Sequence, residues 1–217
     1  MKIRLTRSAV SISALIIVLM LAVTPSFADT VLYDNGPIKG TENPHSITGV
    51  DAVSDSFTLS NPSTISSFSA GLWVLPGDSP AGLSWAILSS SGDPFSGTPL
   101  ASGSASLTTG NFSISPSGFG FGRYPIFTST VSGLSVNLPA STYYLELYNG
   151  TAASLPNIYW DENDGHSTAF SKGTGAIGSE AFTIYGPTSV TPEPGTILMF
   201  GTGVLGQMGA VRRRFCL

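Results

Sequence analysis

An all-β fold, arranged as an antiparallel two-sheet sandwich, is what the sequence predicts, and three observations carry the prediction. Between residues 31 and 185, short apolar or alternating runs are separated by clusters of Gly, Pro, Asn, Asp and Ser. Nowhere in that stretch does a helical apolar period persist for three turns. Charged residues are 10% of the chain, against about a quarter in ordinary domains, and Gly numbers 25, a profile of extracellular β proteins rather than of cytosolic enzymes.

Taken in order, the candidate strands are 30–33, 55–59, 65–75, 83–88, 99–107, 126–136, 142–148, 157–160 and 180–185. Pro76-Gly77-Asp78 closes the third, Ser91-Gly92-Asp93-Pro94 follows the fourth, and Asn149-Gly150 and Asp164-Gly165 follow the seventh and eighth. Each supplies a residue that tolerates positive φ or presets it, and so predicts a turn. The Ser- and Gly-rich stretch 89–118 is interrupted by Phe95, Leu100, Leu107, Phe112 and Ile114, so it reads as strands with long loops. In 141–149, alternation puts Tyr143, Leu145 and Leu147 on one face and Tyr144, Glu146 and Tyr148 on the other, which makes the first face core. Strands of this number and length suit two packed sheets.

The single cysteine, Cys216, permits no intramolecular disulfide, so the fold rests on its apolar core. The formal charge of -4 conceals an asymmetry. Lys2, Arg4, Arg7, Arg212, Arg213 and Arg214 sit at the ends, leaving three cations, Lys39, Arg123 and Lys172, against twelve acids between 29 and 187. So acidic a body argues against a nucleic-acid partner, whose phosphates demand clustered Lys and Arg.

Residues 1–28 read as a secretory signal peptide. Basic Lys2, Arg4 and Arg7 precede an apolar run centred on 15–23, a break at Pro25, and the small residues Ser26 and Ala28 framing Phe27, with cleavage after Ala28. The alternative is an uncleaved anchor, which the short run and the small-x-small site disfavour. Residues 29–187 are the β domain, and 188–217 form a second address.

In that second address, Pro192 and Pro194 hold the chain extended around an exposed Glu193. A glycine-broken apolar run over 196–211 predicts a membrane helix, and Arg212, Arg213 and Arg214 predict a cytoplasmic end. At 1.5 Å per residue the helix spans roughly 24 Å, less than the hydrocarbon core of about 30 Å, which suits a temporary anchor. The expected course is an inner-membrane-anchored intermediate facing the periplasm, then the cell surface or extracellular matrix. Gly201, Gly203 and Gly206 match G-x-G-x-x-G, but without a βαβ unit around them they predict no dinucleotide site.

Pro192-Glu193-Pro194, the glycine-broken apolar run and the arginine cluster, in that order, resemble the PEP-CTERM sorting signal of Gram-negative bacteria that produce exopolysaccharide. The resemblance implies an exosortase, an integral-membrane cysteine protease, as the partner that recognises and removes the tail. An ordinary, never-processed anchor is the alternative. The stretches Ser84-Trp85-Ala86-Ile87-Leu88, Tyr143-Tyr144-Leu145-Glu146-Leu147 and Tyr159-Trp160-Asp161-Glu162-Asn163 also resemble, loosely, the choice-of-anchor ectodomains found on such proteins. That likeness implies a sandwich of jelly-roll type and no particular activity.

The densest polar run follows Trp160: Asp161, Glu162, Asn163, Asp164, Gly165 and His166. Oxygen ligands at this density could hold calcium, although the spacing departs from the EF-hand loop. The commoner use is a turn in which Asp and Asn bond their own backbone. No other cofactor and no metal centre is expected. Trp160, beside these carboxylates, could serve as a platform for a sugar ring of the exopolysaccharide, the commoner use of such aromatics being core packing. Glu146 with Asp161 or Glu162 could form a glycosidase pair. Nucleophilic catalysis finds no G-x-S-x-G and no cysteine in the body, with His45 and His166 the only imidazoles. The reading is therefore a non-enzymatic surface or matrix protein, with a carbohydrate-binding module or a glycoside hydrolase as alternatives.

Overall fold

The computed structural model describes residues 29–40, 43–90, 94–114 and 124–187. Ser26 and Ala28 of the export signal, and Pro192, Glu193, Pro194, Arg212, Arg213 and Arg214 of the sorting segment, lie outside them. In chain order the described strands are β1 (Thr30–Asp34), β2 (His45–Ser46), β3 (Ala52–Leu59), β4 (Ser63–Val74), β5 (Pro80–Ser89), β6 (Ala101–Ser106), β7 (Thr108–Ile114), β8 (Pro125–Leu138), β9 (Ser141–Ala152), β10 (Ile158–Trp160), β11 (Glu162–Asn163), β12 (Ala169–Ser171), β13 (Gly175–Ile177), β14 (Ser179–Glu180) and β15 (Phe182–Gly186).

They form three antiparallel sheets. A seven-stranded sheet runs β1-β15-β4-β10-β2, with β8 also paired to β4 and β7 to β8; a six-stranded sheet runs β13-β12-β3-β9-β5-β6; and β11 and β14 make a two-stranded ribbon. The expected alternation in β9 holds: Tyr143, Leu145 and Leu147 are buried while Tyr144, Glu146 and Tyr148 are half-buried on the opposite face. The same period places Val53, Asp55, Phe57 and Leu59 of β3 inward. From the other large sheet come Phe68, Leu72 and Val74 of β4, Trp160 of β10, and Phe182 and Ile184 of β15. The faces meet through rings, Phe57 on Phe182 at 6.5 Å and Phe68 on Trp85 at 6.1 Å, both edge to face.

Three expectations are corrected. Among the described residues there is no helix, and none long and apolar enough to cross a membrane. Their apolar runs are strands, such as Leu72-Trp73-Val74, buried on both faces. The membrane helix expected over 196–211 lies outside the described residues, which are all-β and give neither that helix nor the membrane partnership and inner-membrane-anchored stage expected with it any support. Second, the described strands show no jelly-roll closure, and a third sheet, the β11–β14 ribbon, stands beside the two large ones.

Third, Asn149-Gly150 is not a turn but lies within β9. Asn149 takes φ 49° where the β5–β9 pairing shifts register, so the left-handed residue forms an irregularity in the ladder. Gly150 is required there by packing, since a Cβ would collide with Ile158 and Ile47.

Replacing a ring at the junction of the two sheets removes contacts from both. Phe57→Ala is expected to lower unfolding free energy by about 3–5 kcal/mol in urea titrations, whereas Val50→Ala, at a residue 87% exposed, changes it by less than about 0.5 kcal/mol.

Candidate functional site

The acidic run lies where β10 hands over to β11. β10 pairs with β4, setting Tyr159 opposite Trp73 and Trp160 opposite Leu72, and β11 pairs with β14, setting Glu162 opposite Glu180. Asp161 is the corner between the two pairings. Its amide donates to the Gly71 carbonyl at 2.9 Å and its carbonyl accepts from the Ala181 amide at 2.7 Å.

The side chains expected to bind a ligand are committed inside the protein. Trp160 is 0% exposed, its ring packed on Phe182 at 5.6 Å and its indole N–H donating to the Ala181 carbonyl at 3.0 Å. It offers no face to a sugar, and that expectation is corrected: on β10 its inward position makes it core.

Asp161 is equally buried. Its Oδ1 accepts from Trp73 Nε1 at 2.6 Å and from the Gly40 amide at 3.2 Å, and its Oδ2 from the Lys39 amide at 3.0 Å. Asn163 donates through Nδ2 to the Asn35 carbonyl at 2.8 Å and accepts through Oδ1 from the Gly165 amide at 2.8 Å. Asp164 forms an ion pair with Lys39, and Glu162 Oε2 lies 2.9 Å from His45 Nε2.

The turn is thus a clasp that fastens the segment 35–40 against β4 and ties down β2 at the edge of the same sheet. A cleft of about 330 Å³ opens between residues 34–39 and the turn 163–166, lined by Asp34, Lys39, Asp164 and His166 with the buried Asn35 and Asn163, but these carboxamides already spend their donors internally. Among the described residues, no three of His, Cys, Asp or Glu are grouped so as to hold a metal ion. Glu146 stands half-buried on the outer face of the six-stranded sheet, whereas Glu162 lies in the ribbon and is tied to His45.

Beneath the clasp lies a second polar layer that the sequence reading missed. Asn35 Nδ2 faces four oxygens: Asp55 Oδ2 at 3.1 Å, Ser167 Oγ and Ser179 Oγ at 2.7 Å, and the Glu180 carbonyl at 2.6 Å. Its Oδ1 accepts from the Tyr33 hydroxyl at 2.8 Å. Asp55 also accepts from the amides of Glu180 at 2.7 Å and Ser56 at 2.6 Å. Glu180 itself is wholly buried, and neither carboxyl oxygen has a hydrogen-bond partner.

Burial governs the ionisation of this layer. It pushes Asp55 from 3.8 up to about 6, against the opposing pull of Ser167, the Glu180 and Ser56 amides and Asn35. It pushes Glu180 well above the usual carboxyl range, reinforced by the charges of Asp55, Glu162 and Asp161. Asp161 is also raised by burial, although the Trp73 indole and the Lys39 and Gly40 amides resist. Asp78, at the far turn between β4 and β5, behaves oppositely: burial would raise it, but the amides of Ser79, Leu155 and Ser154 outweigh that and lower it.

Comparison with known families finds the PEP-CTERM protein-sorting motif over residues 190–214. The match takes in Pro192, Glu193, Pro194 and all three terminal arginines. No curated protein matches the chain. The chain therefore carries an exosortase sorting motif behind an all-β domain, as a surface or secreted protein does.

Removing the clasp's central acceptor strands one indole and two amide donors. Asp161→Ala is expected to lower unfolding free energy by about 3 kcal/mol or more, read by urea titration.

The buried acids also set a pH dependence. Below the unfolded value of Asp55 both states hold its proton; between there and about 6 the unfolded chain releases it while the fold retains it. Stability therefore falls as pH rises through this window, and Glu180, raised by the same cause, adds to the fall above its own unfolded value. Unfolding free energy from urea titrations should be higher near pH 4.5 than near pH 7.5, by about 2–3 kcal/mol. Glu180→Gln should raise the neutral-pH midpoint and flatten the profile.

Proposed function

We propose that the β domain is the passenger of its sorting motif: an exported, non-enzymatic component of the cell surface or extracellular matrix, processed by an exosortase near Pro192 to Pro194. The observation that carries this reading is the position of the motif. It begins at residue 190, just past β15 (Phe182–Gly186), a strand paired on one side with β1 and on the other with β4. A tail removed beyond a strand held on both sides leaves every described strand pairing in place. The commitment of Asp161, Glu162, Asn163 and Asp164 to internal partners supports a passenger without catalytic machinery.

Grip on the polysaccharide matrix is the second reading, and it needs a platform other than Trp160. Tyr159, half-buried on β10 and on the face opposite Trp160, is the aromatic residue that supports it.

The test is the intact mass of the exported protein from hosts with and without the exosortase. Loss of the residues beyond the motif should occur only in the first, and a variant with Pro192, Glu193 and Pro194 all changed to Ala should keep them in both. Protein that retains Arg214 in a host with active exosortase would refute the proposal.

A further inference from the structure

β6 closes one side of the six-stranded sheet. It pairs with β5 and, among the described residues, no strand pairs with its other edge. Such an edge presents a row of unpaired N–H and C=O groups, which proteins ordinarily blunt with charge, proline, a bulge or shortness.

Each of the other edges of the two large sheets is blunted. β1 carries Asp34 and a register shift between Val31 and Tyr33. β7 has a register shift between Thr109 and Phe112. β2 is two residues long, and its His45 is tied to Glu162. β13 is three residues long. β6 has none of these devices. It reads Ala-Ser-Gly-Ser-Ala-Ser, pairs with β5 from Gly82↔Ser106 to Ile87↔Ala101 without a shift, and lies in a stretch that holds no charged residue between Asp93 and Arg123. Ser102, Ser104 and Ser106 are exposed on its outer face, while Ala101, Gly103 and Ala105 alternate toward the core.

We propose that β6 is the surface through which two copies of this chain associate, edge to edge and antiparallel about a twofold axis, joining their six-stranded sheets into one. A second copy fits this edge for two reasons. Antiparallel pairing of a strand with its own copy is closed by twofold symmetry, so the contact completes itself at a dimer. The domain elsewhere is acidic, three cations against twelve acids between 29 and 187, so two copies repel over most approaches and meet without like charge along this uncharged edge. Small side chains on both faces of β6 present little bulk to the side chains of a partner strand.

Sedimentation velocity on the exported protein isolated from its exosortase-bearing host tests this. The wild type should show a reversible, concentration-dependent dimer. Ser104→Lys and, separately, Ser102→Lys each bring two lysines close together about the twofold and should weaken it roughly tenfold or more. Thr58→Lys, exposed on the same sheet but on β3 between β12 and β9, should leave it unchanged. Amide hydrogen exchange along 101–106 should slow as the dimer forms. A wild type that stays monomeric to millimolar concentration, a dimer insensitive to both edge lysines, or assembly into open-ended fibres would each overturn the proposal.

Discussion

The rest of the structure depends on one buried carboxylate. Asp161 gathers the Trp73 indole and the Lys39 and Gly40 amides onto itself, while its own backbone ties Gly71 to Ala181. A sandwich core holds its sheets by apolar area, but its ends are loops with backbone donors that need partners. The chain's one cysteine is Cys216, so no internal disulfide can draw those loops in. The clasp takes that role with hydrogen bonds, which are stronger for having a charged acceptor and little surrounding water. Gly71 belongs to the same device: a Cβ there would press on Ile38 and Asp161, so only glycine lets the segment 35–40 lie close against β4.

The same architecture loads acids into a dry space. Asp55 faces inward because it shares the parity of Val53 and Phe57, and it is tolerated because Asn35 and the Glu180 and Ser56 amides satisfy it. Glu180 has no such relief for its carboxyl oxygens, and its pKa is pushed up by burial and by the neighbouring acids, since a neutral acid loses far less on burial than a carboxylate. The cluster that makes one end of the domain rigid therefore also makes its stability a function of pH.

The sheets were largely legible from the sequence because β9, β4 and β5 are long enough for their period to show, as the burial of Tyr143, Leu145 and Leu147 confirms. The strands β2, β11, β12, β13 and β14 have only two or three residues each, too few for any period, and exist because neighbours offer them partners. The acidic run at 161–164 was equally visible, but its use was not. Its partners Trp73 and Lys39 stand 88 and 122 residues away, a distance that no local pattern spans. One signal was available: an aspartate at a core position of an alternating strand, Asp55 between Val53 and Phe57, announces a buried polar partner, and Asn35 is that partner.

The central claim is that the acidic turn is a self-satisfied clasp and not a vacant ligand site. Native-state hydrogen exchange at the Lys39, Gly40 and Glu180 amides, read with calcium and again with a chelator, tests it most directly. The clasp predicts that all three exchange near the rate of global unfolding under both conditions. Rapid exchange in the chelator that calcium suppresses would contradict it, because the carboxylates would then be waiting for a cation rather than holding the chain.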